Sequence, residues 1–372
     1  MIVWVIAGLL GLATGLRIGW ALVNKQSLVS AAMILALGSL GLVAALNWQP
    51  LTLLLDTLLR WPNVSTVFSQ VALIACAAGS CVMITSASSS RAPAVIRRIA
   101  IGQYAVATVI AGLTLVAFFI TPQQPEMAPE EYLRRNLGSG GSSLSWLLPL
   151  LYVLLALTLV AWAGARHSNR TRRGRALFLF TIGIALIVLA SAFFLLRAAG
   201  QTRFVGVGAA ATLLGCAMLV VAGGSLLPSV EDWFGARREL RIIQPLLEEL
   251  NGRHPNIGIG VRPRGPLLFR VAEQMSLISD ALYLEATRTL EGDESFAESS
   301  DPAKLSVSPE DQARRIGEWI LAGRGAGRDA ANSKFPGPNW LRQPASYSDR
   351  EWILAIADQY RTLNRNVDVA AA

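Results

Sequence analysis

The chain has 372 residues, of which 53% are hydrophobic and only 16% are charged, and its formal net charge is +8. Soluble domains contain about 25% charged residues, so this composition favours a protein with extensive membrane-embedded segments. The first 230 positions hold 15 basic and 4 acidic residues, whereas the remaining positions hold 18 and 21. Because the basic excess belongs to the apolar part of the chain, it indicates membrane orientation and argues against nucleic-acid binding.

Seven apolar runs are long enough to cross the hydrocarbon core of a bilayer, which takes about 20 helical residues. These runs lie near residues 2–22, 28–47, 66–86, 99–120, 146–165, 176–197 and 204–227. Basic residues without acidic neighbours fill the loops on one side of the predicted bundle: Lys25, Arg91, Arg97, Arg98, Arg166, Arg170, Arg172, Arg173 and Arg175. The positive-inside rule then places the N-terminus outside and everything after the seventh span in the cytosol. Since arginine far outnumbers lysine, we expect the cytoplasmic membrane of a bacterium.

Two segments on the predicted outer side are not spans. The segment 48–63 is apolar but too short to cross the membrane, and Asp56, Arg60 and Pro62 interrupt it. We expect it to be an amphipathic helix lying at the outer surface, with a re-entrant hairpin as the alternative. In the loop 121–145, the sequence EEYLRR contains acidic and basic residues four positions apart, which predicts a short helix.

The sequence contains none of the common catalytic motifs that we searched for. There is no nucleotide-binding loop, no HExxH and no GxSxG motif. Cys76, Cys81 and Cys216 lie in apolar runs without a CxxC pair or a neighbouring histidine, so we expect thiols buried as small apolar groups. The sequence therefore predicts no enzyme, no catalytic residue, no cofactor and no metal site.

Polar side chains within the predicted spans are the candidates for a ligand site. The spans contain no Asp or Glu, which argues against a transporter that couples to protons or sodium. Gln70, Gln103 and Tyr104 could line a cavity in the bundle. Hydrogen bonds between helices explain the same three residues equally well, so both interpretations stay open.

Glycines mark two further features of the spans. Gly11, Gly15 and Gly19 form a stripe on the first span that favours close helix approach, within the bundle or, as the weaker alternative, in a homodimer. Gly223 and Gly224 lie near the end of the last span. They favour helix packing as well, and a hinge is the sharper hypothesis for this pair.

The sequence predicts a small all-α cytosolic domain over residues 229–366 and a disordered tail over residues 367–372. Ser229 and Asp232 have the spacing of a helix cap, and the helix from the membrane should end near Leu250. The amphipathic stripe Leu268, Val271, Met275, Ile278 and Leu282 predicts the next helix. After an acidic, serine-rich linker over 291–307, the sequences SPED and SDRE predict two more capped helices, the last of them ending near Leu363.

Three sequence blocks, WPNVSTVFSQ, RIIQPLLEELNGRHPNIGI and LLFRVAEQMSLISDALYLEA, resemble an actinobacterial family of multi-pass membrane proteins. The family is catalogued as candidate transporters that end in a helical cytosolic domain of unknown function. In the third block the family carries an Arg, a Glu three residues later and an Asp three residues after that. Arg270 and Glu273 match this pattern, and Ser276 replaces the Asp. The resemblance implies the architecture and makes Arg270 and Glu273 a candidate partner surface.

Two functions fit these observations. The first is a membrane sensor or signalling adaptor, in which the spans bind a lipid or small amphiphile and residues 229–366 contact a cytosolic protein. The missing membrane carboxylates and the substantial C-terminal domain favour it. The alternative is a transporter or exporter of a small apolar or cationic molecule, although an odd number of spans without visible paired halves is atypical of transporters.

Overall fold

A computed structural model of the chain describes residues 2–23, 27–88, 92–137, 144–168, 171–199, 206–255, 257, 267–290, 307–325 and 337–371. Within these ranges every regular element is helical, which confirms the all-α prediction. The helices are α1 (Ile2–Val23), α2 (Leu28–Leu46), α3 (Gln49–Leu59), α4 (Val64–Ser88), α5 (Pro93–Ile120), α6 (Pro129–Asn136), α7 (Leu144–His167), α8 (Arg172–Ala198), α9 (Val207–Arg253), α10 (Leu267–Leu290), α11 (Pro309–Gly325) and α12 (Asp349–Ala371). A short 3-10 helix, Pro338–Leu341, precedes α12.

The chain divides into two compact units, residues 1–228 and 229–372, which we call the membrane unit and the C-terminal unit. Seven helices in the described ranges are long and apolar enough to cross a membrane: α1, α2, α4, α5, α7, α8 and α9. They coincide with the seven predicted runs and indicate a multi-pass membrane protein. The basic residues Lys25, Arg91 and Arg170, on which the predicted orientation partly depends, lie outside the described residues.

Helix α4 is the centre of the membrane unit, because 78% of its apolar window is buried, against 11% for the peripheral α5. Small residues allow its neighbours to approach closely. A Cβ atom added to Gly79 of α4 would lie 2.9 Å from the carbonyl oxygen of Ala32 in α2. Substituting Gly79 would therefore force two backbones apart.

The glycine stripe of α1 does not pack inside the bundle. A Cβ atom added to Gly11, Gly15 or Gly19 would meet no heavy atom within 4 Å. The expected use of this stripe in packing within the bundle is therefore wrong for the described residues. A homodimer through the same stripe stays a prediction.

Helix α9 is one continuous helix of 47 residues and belongs to both units. The predicted helix start at Ser229 and Asp232 is wrong, since these residues lie inside α9. Local cap residues do not begin a helix when the chain arrives already helical, because extending a helix costs less free energy than nucleating one. The predicted end near Leu250 agrees with the helix end at Arg253 to within a turn.

The C-terminal unit is built around a core of buried aromatic and aliphatic side chains from α9 to α12, among them Trp319, Tyr360 and Ile243. Both predicted caps are present. Ser308 Oγ accepts a hydrogen bond from Asp311 N over 3.1 Å, and Glu351 Oε2 accepts one from Ser348 N over 2.9 Å. Helix α12 continues to Ala371, beyond its predicted end near Leu363. The disordered tail over 367–372 stays a prediction. The predicted mobile linker lies outside the described residues, apart from position 307.

Candidate functional site

The segment 48–63 contains a single helix, α3, and not a hairpin of two segments. Its Asp56 side chain is only 3% exposed. The carboxylate accepts hydrogen bonds from Ser65 N at 2.8 Å, from Asn63 N at 3.1 Å and from Ser65 Oγ at 3.1 Å. Asp56 therefore caps the first turn of α4, where free N–H groups and the positive end of the helix dipole favour an anion.

Asn63 connects this cap to the irregular segment 121–128. Its φ of 61° is in the left-handed region, which asparagine tolerates better than most residues. The side-chain amide donates to the carbonyl oxygen of Pro125 at 3.0 Å and accepts from Met127 N at 3.0 Å. Gln124 and Asn136 complete the arrangement through two reciprocal amide hydrogen bonds of 2.9 and 3.0 Å. Asp56 is the one charged side chain in this hydrogen-bonded group, which we call the α4 cap and which also contains Asn63, Ser65, Gln124 and Asn136.

A small cavity with a volume of about 40 Å³ is lined in part by Asn63, Gln124 and Asn136 of the α4 cap. Its walls include four aromatic rings, Trp61, Phe118, Tyr132 and Trp146. Gln70, one of the predicted ligand residues, also lines it; this side chain is 9% exposed, and its Nε2 atom has no hydrogen-bond partner. A water molecule occupies roughly 10–15 Å³ on this measure, so the cavity has room for about three waters and none for an amphiphile.

A larger groove lies between α5 and α7 and has a volume of about 410 Å³. It is lined by Ile99, Gly102, Gln103, Val106, Tyr152, Leu155, Ala156 and Leu159. The predicted ligand residue Gln103 is therefore part of it. Tyr104 is not in the lining, and it packs against the core of the bundle instead. The structure thus separates the three predicted residues into three different surroundings.

Gly223 and Gly224 differ sharply in their surroundings. A Cβ atom added to Gly224 would lie 2.7 Å from the backbone nitrogen of Phe180 in α8, whereas one added to Gly223 would meet nothing within 4 Å. Gly183 of α8 makes the reciprocal contact, since its Cβ would lie 2.8 Å from Val221 N in α9. Gly224 is a packing residue at the α8–α9 crossing. The helix is unbroken at Gly223, and the hinge stays a prediction.

The C-terminal unit contains a charged cluster where α9 ends. Arg253 donates to Glu249 Oε1 at 2.8 Å, to Glu285 Oε1 at 3.1 Å and to the carbonyl oxygen of Ile320 at 2.5 Å. His254 Nε2 lies 2.5 Å from Glu285 Oε2. The side chains of these four charged or titratable residues are at most 16% exposed. One arginine therefore ties α9 to α10 and α11.

Helix α12 joins the cluster through Tyr360, whose hydroxyl donates to Glu249 Oε2 at 3.4 Å. Burial and the neighbouring Glu249 carboxylate raise the pKa of Tyr360 to about 12. A Cβ atom added to Gly323 would lie 2.6 Å from the Arg253 guanidinium, so a larger residue there would displace this side chain. Nothing in the sequence patterns marked this cluster, since its members are far apart along the chain.

Arg270 and Glu273, the predicted partner surface, lie on the first turns of α10. Glu273 is exposed, and Arg270 is half-buried with no hydrogen-bond partner for its Nε atom. No ion pair joins the two side chains in the part of the chain that the structure describes. The same face of α10 exposes Phe269 and Tyr283, by 68% and 70%.

Comparisons of this chain with family models, curated proteins and solved structures find no match. The resemblance to candidate transporters therefore stays a prediction. Among the described residues, no three His, Cys, Asp or Glu side chains come together as metal ligands would. What the described sites offer chemically is hydrogen bonding, apolar contact and one buried ionic cluster.

Proposed function

We propose that this protein is a membrane sensor or signalling adaptor that couples an apolar or amphiphilic ligand in its membrane unit to a protein partner of its C-terminal unit. The observation that carries the proposal is the position of α9 in both cores. Ala217, Val221 and Ala222 of α9 are buried in the core of the membrane unit. Ile243, Leu246 and Leu250 of the same helix are buried in the core of the C-terminal unit.

A contiguous set of close helix contacts supports coupling inside the membrane unit. Helix α7 lines the groove and meets α8 where a Cβ at Gly164 would lie 2.3 Å from Thr181 Oγ1. Helix α8 in turn meets α9 at Gly183 and Gly224. Contacts this tight cannot be compressed, so a displacement of α7 has to be met by movement or repacking of α8 and α9.

The far end of α9 supports the second half of the proposal. Arg253 in its last turn holds Glu285 of α10 and the Ile320 carbonyl of α11. A shift of α9 would therefore change a partly buried ionic cluster, whose geometry is restrictive because each unpaired charge is costly to bury. We propose this cluster as the element whose change of arrangement the coupling requires.

A partner search in native membranes tests this function. Full-length protein is crosslinked and purified beside the variant Glu273→Arg, which reverses an exposed charge on α10, and beside Asp358→Arg as a matched control on α12. A third sample ends after Arg238. We expect a specific cytosolic protein with the full-length chain and with Asp358→Arg, a reduced yield with Glu273→Arg, and none after truncation. Equal recovery of membrane components alone from every sample would contradict the proposal.

Transport is the second candidate, favoured by the α5–α7 groove, which is large enough for a small apolar substrate. Efflux or uptake measured in proteoliposomes separates the two functions. A sensor shows no saturable flux of any apolar or cationic compound that binds it. Saturable flux that the truncated chain retains would favour the transporter.

A further inference from the structure

The α5–α7 groove contains polar groups that the protein leaves without partners. The Gln103 amide forms no hydrogen bond within the part of the chain that the structure describes, and the Tyr152 hydroxyl is buried without a partner. Both helices are membrane-spanning candidates. In hydrocarbon, an unpaired amide costs several kcal/mol, by order of magnitude, because no water is present to replace the missing hydrogen bond.

We infer that the α5–α7 groove binds a neutral, largely apolar molecule with one carbonyl or hydroxyl group, which hydrogen-bonds to the Gln103 amide. The inference deepens the proposed function by naming the site and chemical class of its ligand. The groove volume of about 410 Å³ lies in the range of small-molecule sites. None of its lining residues carries a charge, which excludes a charged ligand at this depth.

Depth in the membrane decides what kind of polar group can reach Gln103. This residue lies five positions after Arg98, the last basic residue before the predicted span 99–120, which corresponds to about 7.5 Å along the helix. The hydrocarbon core is about 30 Å thick, so Gln103 lies inside it but nearer to the interface than to its centre. A charged phosphate group stays at the interface, whereas an uncharged hydroxyl or carbonyl group can enter the hydrocarbon to the depth of Gln103. The polar group must therefore belong to a molecule that is otherwise apolar, such as a fatty alcohol or a long-chain ketone.

Gly102 lines the groove, and a Cβ atom added to it would meet nothing within 4 Å. Gly112, on the same helix, has equally open surroundings and does not line the groove. The two glycines therefore provide a matched pair. A leucine at Gly102 fills the groove, whereas a leucine at Gly112 adds the same side chain elsewhere on α5.

Photocrosslinking of the purified full-length protein in lipid nanodiscs tests the site. The probes are a fatty alcohol and an alkane of equal length, each with the same diazirine group. We expect the alcohol to label α5 and α7 on the order of tenfold more than the alkane, which corresponds to one net hydrogen bond. Gln103→Leu should remove this preference while both probes still label. Gly102→Leu should remove labelling of the groove, and Gly112→Leu should leave it unchanged.

Equal labelling by alcohol and alkane in the unmodified protein would overturn the inference, since the groove would then be an ordinary lipid-facing surface. Labelling that survives Gly102→Leu would overturn it as well. The partner search separates this failure from failure of the proposed function. Recovery of a cytosolic partner without alcohol-selective labelling keeps the sensor and rejects the site. Selective labelling without a partner keeps the site and rejects the sensor.

Discussion

Asp56 is the membrane unit's one buried carboxylate among the described residues, and it serves the backbone. Its oxygens satisfy two N–H groups at the start of α4 and the Ser65 hydroxyl. Hydrogen bonds to an ionised acceptor are stronger than neutral ones. The residue that interrupts the apolar pattern of 48–63 is thus a helix cap, and it needs no role in ion transport.

Replacing Asp56 by Asn tests this assignment. We expect the free energy of unfolding to fall by about 1–3 kcal/mol, because the amide keeps one acceptor and loses the charge. Thermal unfolding in detergent, followed by tryptophan fluorescence, measures the change. The exposed Glu131→Gln variant is the control and should unfold as the parent does. An unchanged midpoint for Asp56→Asn would show that the cap contributes no stability.

Glu351 gives a pH dependence at the residue scale. Hydrogen bonds from the Ser348 backbone and hydroxyl hold the pKa of Glu351 below its usual 4.5. A carboxylate with a lowered folded-state pKa stabilises the fold above the unfolded-state pKa and loses that effect as the pH falls. We therefore expect Glu351→Gln to melt at a lower temperature than the parent at pH 7, and the difference to shrink below about pH 4.5. A difference that does not change with pH would contradict the assignment; Asp358→Asn serves as the control.

From the sequence, Gln103 and Gln70 could be named only as candidate ligand residues, because a polar residue in a span also fits hydrogen bonding between helices. The structure places Gln103 in the groove and Gln70 in the small cavity. The role of Asp56 could not be predicted. It depends on left-handed backbone at Arg60 and Asn63, which turns the chain so that α4 begins beside α3. Turn geometry of this kind leaves no periodic signal in the sequence.

At the scale of helices, substitutions of the neighbouring residues Gly223 and Gly224 distinguish a role in helix packing from a role as a hinge. Gly224→Ala should destabilise the membrane unit by roughly 1–3 kcal/mol, because the new methyl group meets the backbone of α8. Gly223→Ala meets open space and should be neutral or stabilising by up to about 1 kcal/mol, since alanine favours helix. Thermal unfolding of the two variants checks the difference.

The same pair decides the hinge hypothesis. Pro228 lacks an N–H group, so the carbonyl of Gly224 loses its usual helical partner, which would ease bending here. If bending at Gly223 transmits the signal, Gly223→Ala should weaken ligand-dependent changes in the C-terminal unit without lowering stability. Unchanged coupling in that variant would leave packing at Gly224 as the role of the glycine pair.

Helix type was predictable throughout the described ranges, and helix ends less so. The caps at Ser308 and Ser348 were correct because neither residue lies inside a longer helix, and Ser348 follows a turn at residues 345–346. The signal at Ser229 failed because this residue lies in the middle of α9. Burial of α1 was misjudged for another reason: a glycine stripe shows that close approach is feasible and does not say which surface approaches.

At the scale of the whole molecule, the seven spans follow from length and hydropathy alone, whereas orientation depends on charges in short loops. We predict that a cysteine at the exposed position Glu131 reacts with a membrane-impermeant maleimide in intact cells. A cysteine at the exposed position Asp358 should react only after permeabilisation. Cys76, Cys81 and Cys216 are replaced by alanine beforehand. The reverse pattern would show that the orientation is the opposite of the predicted one. Equal reactivity of both positions in intact cells would contradict the three spans, α7, α8 and α9, that separate them.

The joining of both cores by α9 was not predictable, because it depends on a helix that continues through two glycines, a proline and a local cap signal. The ionic cluster around Arg253 was not predictable either, since its members come from four helices. These two features, and not the individual polar residues, support the proposed coupling. Their physical basis is packing and charge pairing that no single segment contains.

Hydrogen–deuterium exchange of the full-length protein in nanodiscs, with and without a long-chain fatty alcohol, tests the coupling most directly. We expect slower exchange in α5 and α7 at the groove, accompanied by changed exchange in residues 236–253 of α9 and in the helices that Arg253 holds. The Gly102→Leu variant should show neither effect. Slower exchange confined to the membrane unit, with the C-terminal unit unchanged, would contradict the proposal that ligand binding is transmitted through α9.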